Sequence, residues 1–541
     1  MPRPPSTLAR SPWLPFVLVA LAYALVATWN IALPGIYMDA VNPDYLVVKL
    51  LNPRHQPIVA WVLQGNYLLG DRVPILIALY HGSQTFWFGL PLYWVFGTTV
   101  AGLRLTHAVF GLAVLAGLFH LLRRAGVETA FVVLACIAMA LDPAFSYAFR
   151  TQSYITLQPM VWLLLSLGWM LSPPRSERAW FWCGLLAGLA VAGYFVYAFF
   201  MPVLVVATYL LTRTVPEVWR ERRRWIAGLV AGGSPYLLGY GLLIRKLGGL
   251  AAFVDFFRNE QESLRAFASP LPLAGRIAHA TQMVEGVVTN AWHNSMMFGQ
   301  WWAVPGASLK LVLLLAVPAL AWLAAELRRT ASPALRMVGA LPVSFFLVAL
   351  VFGERLGGHH FVVVLPLLYA SLVLASRDAV RGLRMSRMPV ALFAAAIATL
   401  GIALNVAGQR ADARMLEQTG GVGLMSDAID RLAEDLNHET RKPFAYFPDW
   451  GLSLPVVFLT RGTVGTDSIE DYARARRRLC EGTDVMVALI DNREARTREW
   501  TARLDWDEPD VVHYRQRDGT IVFDRVTFRA SDAPAHCGAR R

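Results

Sequence analysis

Between residues 13 and 406 the chain alternates long apolar runs with short breaks rich in arginine, a pattern that no water-soluble core accommodates. Many of the runs approach the ~20 residues that a helix needs to cross a bilayer. Only 16% of the 541 residues are charged, against about 25% in an ordinary soluble domain. Mean hydropathy is +0.43. The fold class that follows is a polytopic α-helical membrane protein. The net charge of +12 has a matching cause, because most arginines stand in short loops between spans. No basic stretch is interleaved with aromatics on a soluble surface, which excludes nucleic acid as a partner.

The distribution of arginine orients the spans. The basic start, MPRPPSTLAR, lacks a small-residue cleavage site, so residues 13–33 read as an uncleaved first span with Arg3 and Arg10 in the cytoplasm. A first outer loop, residues 34–100, is broken by Pro43, Pro53, Pro57, Pro74 and Pro91. Were residues 85–96 to cross instead, everything downstream would reverse. Spans at 103–122, 129–145 and 155–171 follow, then a tight pair within 180–211 broken near Phe200-Met201-Pro202, then 225–244. A large outer loop covers 245–309, and spans at 311–325, 337–352, 361–375 and 389–406 complete a set of about eleven. Each inward loop is Arg-rich: Arg123 and Arg124, Arg175 and Arg178, Arg220 to Arg224, Arg328 and Arg329, Arg377 to Arg387. This places a transmembrane unit at 1–406 and an extracytoplasmic tail at 407–541.

The tail reads as a small α/β domain. Met425, Ile429, Leu432 and Leu436 mark an amphipathic helix. Residues 444–447 and 485–490 read as strands, 467–480 and 493–504 as helices, and 511–528 as a hairpin around Arg517-Asp518-Gly519. Cys480 and Cys537 are able to pair in an oxidising compartment. Cys136 and Cys183 lie in apolar runs and read as packing residues.

In a chain this short of charge, the ionisable residues that remain collect at one membrane face. PGIYMDAVNPDY, residues 34–45, carries Asp39 and Asp44 directly after the first span. Asp71, Arg72, His81, Ser83 and Gln84 share that outer segment. LDPAFSYAFRTQSY adds Asp142, Arg150 and Gln152, and GERLGGHHF adds Glu354, Arg355, His359 and His360. A carboxylate at a membrane edge is costly unless wet, paired or used. A base gathered with arginines suits an anionic, lipid-linked substrate, since guanidinium binds phosphate through a planar fork of donors. Asp44 is either a substrate contact or the N-cap of the helix opening at YLVVKLL. Arg104 and His107 read as interfacial, and Trp292, His293, Trp301 and Trp302 as an aromatic belt or, more sharply, a sugar-stacking platform. No Cys or His spacing of metal-site type occurs.

Four stretches in this order resemble the GT-C superfamily of membrane glycosyltransferases, in particular the protein-mannosyltransferase, aminoarabinose-transferase and rhizobial galacturonosyltransferase-like branch. They are the acidic MDAVNPDY after the first span, YHGSQTFWFGLPLYWVFGTTVAGLRL, LDPAFSYAFR, and HHFVVVLPLLY at the start of a late span. The resemblance implies an inverting glycosyltransferase using a polyprenyl-phosphate sugar donor at the outer face, with Asp39 deprotonating the acceptor. Arg150, Arg355, His359 and His360 are then the candidates for the lipid phosphate, and Asp44, His81 and Gln152, on the same outer face, for further substrate contacts. Relatives often carry an acidic residue just after the second-loop arginine, where this chain has Thr151, Gln152 and Ser153. That departure favours no metal, although some relatives use a divalent ion. No cofactor is implied beyond the lipid-linked donor, and the partners implied are that donor, membrane lipid and a protein, lipid or glycan acceptor. The rival readings are a transporter or flippase of lipid-linked saccharide, which requires ionisable groups near the midplane, and a non-catalytic envelope scaffold.

Overall fold

A computed structural model describes residues 13–172, 177–212, 218–264, 270–381, 387–506, 508–532 and 537. Six of its helices are long and apolar enough to cross a membrane: Val100–Arg124, Phe195–Thr212, Val218–Leu247, Ala307–Leu327, Pro333–Arg355 and Gly358–Arg381. Thr129–Ala140 and Pro143–Arg150 form a further pair bent by 66°. The expected set of about eleven exceeds this, and specific residues account for the difference. The first helix is only Phe16–Thr28, because Asn30 turns the chain with a positive φ of 48°. The expected span at 155–171 is divided at Gln158-Pro159 into Ser153–Leu157 and Met160–Met170. Within 180–211 the break falls earlier than Phe200: Glu177–Gly193 ends where Tyr194 becomes extended, and a 3-10 turn, Phe195–Phe200, leads into Met201–Thr212. Residues 85–96 form a helix, Gln84–Phe96, of 13 residues that ends at Gly97. The last apolar helix, Arg387–Thr419, runs for 33 residues without interruption at Val406.

Glycines let two of these helices touch along their backbones. Gly184 and Gly188 on Glu177–Gly193 meet Gly228 and Gly232 on Val218–Leu247, each pair spaced by four. A Cβ on Gly188 would lie 2.3 Å from the Leu229 carbonyl oxygen, and one on Gly232 would lie 2.0 Å from that of Leu185. Small-xxx-small faces of this kind replace the hydrophobic drive that lipid removes.

The irregular segment that follows the first helix folds back as two short hairpins, Tyr67–Leu68 with Val73–Pro74 and Leu76–Ala78 with His81–Gly82. Its start is gripped by the C-terminal part of the chain. The Gly35 N–H donates to the Met425 carbonyl at 2.8 Å. A Cβ at Gly35 would lie 2.0 Å from the Ser426 oxygen, so only glycine permits this approach.

Beyond the long helix, five strands form one sheet in the order Thr466–Asp467, Phe444–Tyr446, Val485–Leu489, Ile521–Phe528, Asp510–Arg515. The first three are parallel and the last two antiparallel. Alternation along the strands divides the core. Ala445, Met486 and Ala488 face Ile429, Leu432 and Leu436, while Tyr446, Val485 and Val487 face Leu479, Trp500 and Leu504. The helix expected from residue 467 starts later, as Tyr472–Cys480, because Thr466–Asp467 pairs as a strand and Asp471 accepts the Arg474 N–H at 2.8 Å. Cys480 and Cys537 are joined as a disulfide.

The helix contact gives a stability test. Gly188→Leu is expected to lower the thermal midpoint of the detergent-solubilised protein through overpacking of roughly 1–3 kcal/mol. Gly233→Ala, with nothing within 4 Å of its Cβ, is expected to leave it unchanged or slightly raised.

Candidate active site

Two buried arginines fix the turn between the first helix and the Asp39 segment. Arg150 donates to the carbonyls of Val26, Ala27, Asn30 and Leu33 at 3.0, 3.1, 3.3 and 3.2 Å, and to that of Trp29. Val26 and Ala27 are orphan acceptors in the last turn of Phe16–Thr28, where a cation is favoured, and the other three carbonyls belong to the C-cap and the turn after it. Arg104 donates to Leu33 and Pro34 at 3.4 and 2.8 Å. Nearby, Asp430 from the tail is half-buried and feels the charge of Arg104. Arg150, expected at the lipid phosphate, is thus consumed by main-chain oxygens. Arg104, expected at the membrane interface, is buried in the same clamp.

The chain leaves this clamp directly into the short 3-10 turn Met38–Ala40, with Met38 and Ala40 buried and Asp39 half-buried between them. Burial raises the Asp39 carboxyl to about 6, and a hydrogen bond from the Tyr37 hydroxyl opposes that rise. The Tyr37 oxygen accepts from Trp450 Nε1 at 2.9 Å, so the tail reaches the carboxylate through one tyrosine. Tyr80 and Tyr194 lie within electrostatic reach of Asp39.

Tyr194 is the hub that sequence reading missed. It stands at the break after Gly193, inside an apolar run read as a span pair. Its ring stacks on His81 at 5.6 Å and 11°. Its hydroxyl shares a hydrogen bond with His360 Nε2 at 3.3 Å. The His359 and His360 rings are 3.8 Å apart, and Gln152 Nε2 donates to His359 Nδ1 at 3.1 Å. Asp39, His81, Gln152, His359 and His360, from four separate stretches of chain, therefore converge around Tyr194. His81 donates to the Gly82 carbonyl at 2.8 Å, and burial lowers its pKa to about 4, so it is neutral near pH 7. Arg355 is exposed on the turn Gly353–Arg355, four residues before His359.

Asp44 lies elsewhere. It is 0% exposed, accepts from the Tyr154 hydroxyl, and approaches His107 Nε2 at 3.5 Å. His107 in turn stacks on Tyr154 at 3.7 Å. Its side chain caps no helix, so the expected N-cap role does not match its position. This carboxylate joins the helices that carry His107 and Tyr154 to the Asp39 segment.

A second buried polar chain runs below Gln152. His293 donates from Nδ1 to Asn290 Oδ1 at 2.8 Å and accepts the Ser153 hydroxyl at 3.0 Å. Asn290 then donates to Asp412 at 2.7 Å. Lys310 pairs with Asp142 at 2.6 Å, and the Tyr369 hydroxyl donates to the same carboxylate at 2.8 Å. His293 is therefore internal. Trp292 packs under the histidines, where a Cβ at Gly358 would come within 2.4 Å of its ring. Among the described residues, no group of three or more His, Cys, Asp or Glu side chains is placed to hold a metal ion.

No sequence-family model matches the chain, and no curated protein matches it by sequence. Its structure does have counterparts, and the fold is that of the GT-C membrane glycosyltransferases. In particular the chain is similar to ArnT, an aminoarabinose transferase, from Cupriavidus metallidurans bound to undecaprenyl phosphate. That match has a TM-score of 0.58 at 17% identity, covering 96% of this chain and 99% of ArnT. The apo state of the same ArnT matches at 0.55 and 14% identity, with the same coverage.

The clamp is testable apart from chemistry. Arg150→Leu strands buried carbonyl oxygens and is expected to cost roughly 3 kcal/mol, read as a lower thermal midpoint. A variant that kept the wild-type midpoint but bound phospholipid carrier more weakly would restore Arg150 to the substrate site.

Proposed function

We propose that the chain is an inverting glycosyltransferase that moves a sugar from a polyprenyl-phosphate donor to an acceptor hydroxyl at the outer face of a bacterial cytoplasmic membrane. The observation that carries this reading is Asp39. It is a half-buried carboxylate with its pKa near 6, set among tyrosines and histidines, in a fold that ArnT uses around undecaprenyl phosphate. A general base works best with a pKa near the working pH. Burial supplies the rise from 3.8, and the Tyr37 hydroxyl keeps it from going further.

In the reaction, Asp39 takes the acceptor hydroxyl proton while that oxygen attacks the anomeric carbon. The bond from that carbon to the phosphate oxygen breaks, and polyprenyl phosphate leaves with the electron pair. A phosphate monoester is already a good leaving group, so no strong acid is required opposite Asp39. Gln152, His359, His360 and the exposed Arg355 serve the departing phosphate as donors and a cation. The histidines act as oriented hydrogen-bonding groups. Asp44, Arg104 and Arg150 hold the frame, and the N-terminus lies in the cytoplasm with the sheet-bearing tail outside. No metal is required by these roles.

Asp39→Asn is expected to lower transfer from the lipid donor by about 10²–10⁴-fold with the fold intact; wild-type turnover would remove the base from Asp39. The wild-type rate is expected to rise with pH through a midpoint near 6, because only the ionised carboxylate accepts a proton. Tyr37→Phe deletes the bond that lowers this pKa, so the rising limb is expected to move to higher pH. A limb that stays in place would show that Tyr37 does not bear on the base.

A further inference from the structure

We infer that Trp61 and Trp450 form the acceptor subsite, and that the acceptor is a glycan whose sugar ring lies against these indoles while one hydroxyl reaches Asp39. This rests on the reading of Asp39 as the base. The two rings meet edge to face, with centroids 5.3 Å apart at 79°, and are 40% and 47% exposed. Exposed rings such as Trp94 and Trp219 occur elsewhere in the chain, whereas these two meet as a pair next to the Asp39 segment.

The Trp450 indole and the Trp61 main chain are each tied to the Asp39 segment by a tyrosine. Trp450 Nε1 donates to Tyr37, whose hydroxyl bonds Asp39, and the Trp61 main-chain N–H donates to the Tyr45 hydroxyl at 2.7 Å. The turn that carries Trp450 is itself anchored. Asp449 pairs with Arg496 at 2.5 Å and accepts the Ile490 N–H at 2.7 Å. The Trp450 ring is thus held near the group that receives the acceptor proton, with the Trp61 ring against it, which lowers the entropy cost of binding.

The chemistry selects among occupants. A tryptophan in a membrane belt turns its N–H outward to the headgroups, whereas that of Trp450 points inward to Tyr37. An extended peptide acceptor would want a free sheet edge for main-chain hydrogen bonds. Here the edge strand Thr466–Asp467 is already covered by the loop before Trp61. Thr466 N–H donates to Pro57 at 2.9 Å, and Val59 N–H donates to the Thr466 hydroxyl at 3.0 Å. What remains is a pair of electron-rich faces. These attract the polarised C–H bonds of a sugar ring and leave its hydroxyls free at the rim. Transfer then joins the acceptor oxygen to the donor's anomeric carbon as a new glycosidic bond, with the proton on Asp39 and the lipid phosphate released.

The test uses the full-length protein in nanodiscs with polyprenyl-phosphate sugars from metabolically labelled membranes. Three separated envelope fractions are offered: free polysaccharide, lipid-anchored glycan and protein. Label is expected in one of the two glycan fractions, which also tells those sources apart; label in protein overturns the inference. Trp61→Ala is expected to raise the KM for that fraction several-fold, up to about tenfold, with little change in kcat, and Trp450→Ala to raise the KM while also disturbing the Tyr37–Asp39 bond. An unchanged KM in Trp61→Ala overturns the subsite, and Trp450→Phe replaces Trp450→Ala if the latter fails to fold. Quenching of these two tryptophans by brominated lipids would place them in the bilayer and also overturn it. Wild-type transfer that survives in Asp39→Asn defeats the base reading instead, while the KM shifts still judge the subsite.

Discussion

Everything near Asp39 depends on how the first helix ends. Its last carbonyls have no partner within the helix, and Arg150 and Arg104 take them up along with the turn that follows. Two buried guanidiniums with no carboxylate beside them in the turn would be a poor use of charge if main-chain oxygens did not satisfy their donors. With them in place, the turn from Trp29 to Pro34 has one course. The carboxylate five residues beyond Pro34 is then presented at a fixed height above the helices. The tail completes the constraint from the other side, through Gly35 against Met425 and Ser426 and through Trp450 against Tyr37.

The consequence is a carboxylate in an intermediate environment. Full burial would hold it protonated, and full exposure would leave it a weak base with an ordinary pKa. Half-burial with one tyrosine donor puts it near 6. The neighbouring histidines follow a different logic: burial and stacking against Tyr194 and Trp292 make them fixed, oriented groups. In the proposed reaction, the base stands on one stretch of chain and the phosphate-facing groups on others, which separates proton transfer from phosphate positioning.

The membrane character and most helices of the chain were legible because apolar length and arginine placement answer to the bilayer, which acts on every residue of a span. The strands and helices near 444, 485, 493 and 521 were legible for a similar reason: alternation along a strand is read locally. Single charged residues were harder. Asp39 and Asp44 carry the same functional group five residues apart, yet one is half-open and the other is sealed beneath Tyr154 and His107. Arg150 likewise reads as a phosphate ligand until the helix end it caps is seen. Tyr194 was hidden within an apolar run, and only the adjacent Gly193 hinted that the helix stops there. Trp450 lies more than 400 residues from the loop it touches, a contact no local pattern encodes.

A structure of the protein with undecaprenyl phosphate bound would test the central claim most directly. The account predicts phosphate density beside Gln152, His359 and Arg355, a sugar's width from Asp39, with Arg150 still bound to the carbonyls of the first helix. Phosphate density on Arg150, or a headgroup remote from Asp39, would contradict it.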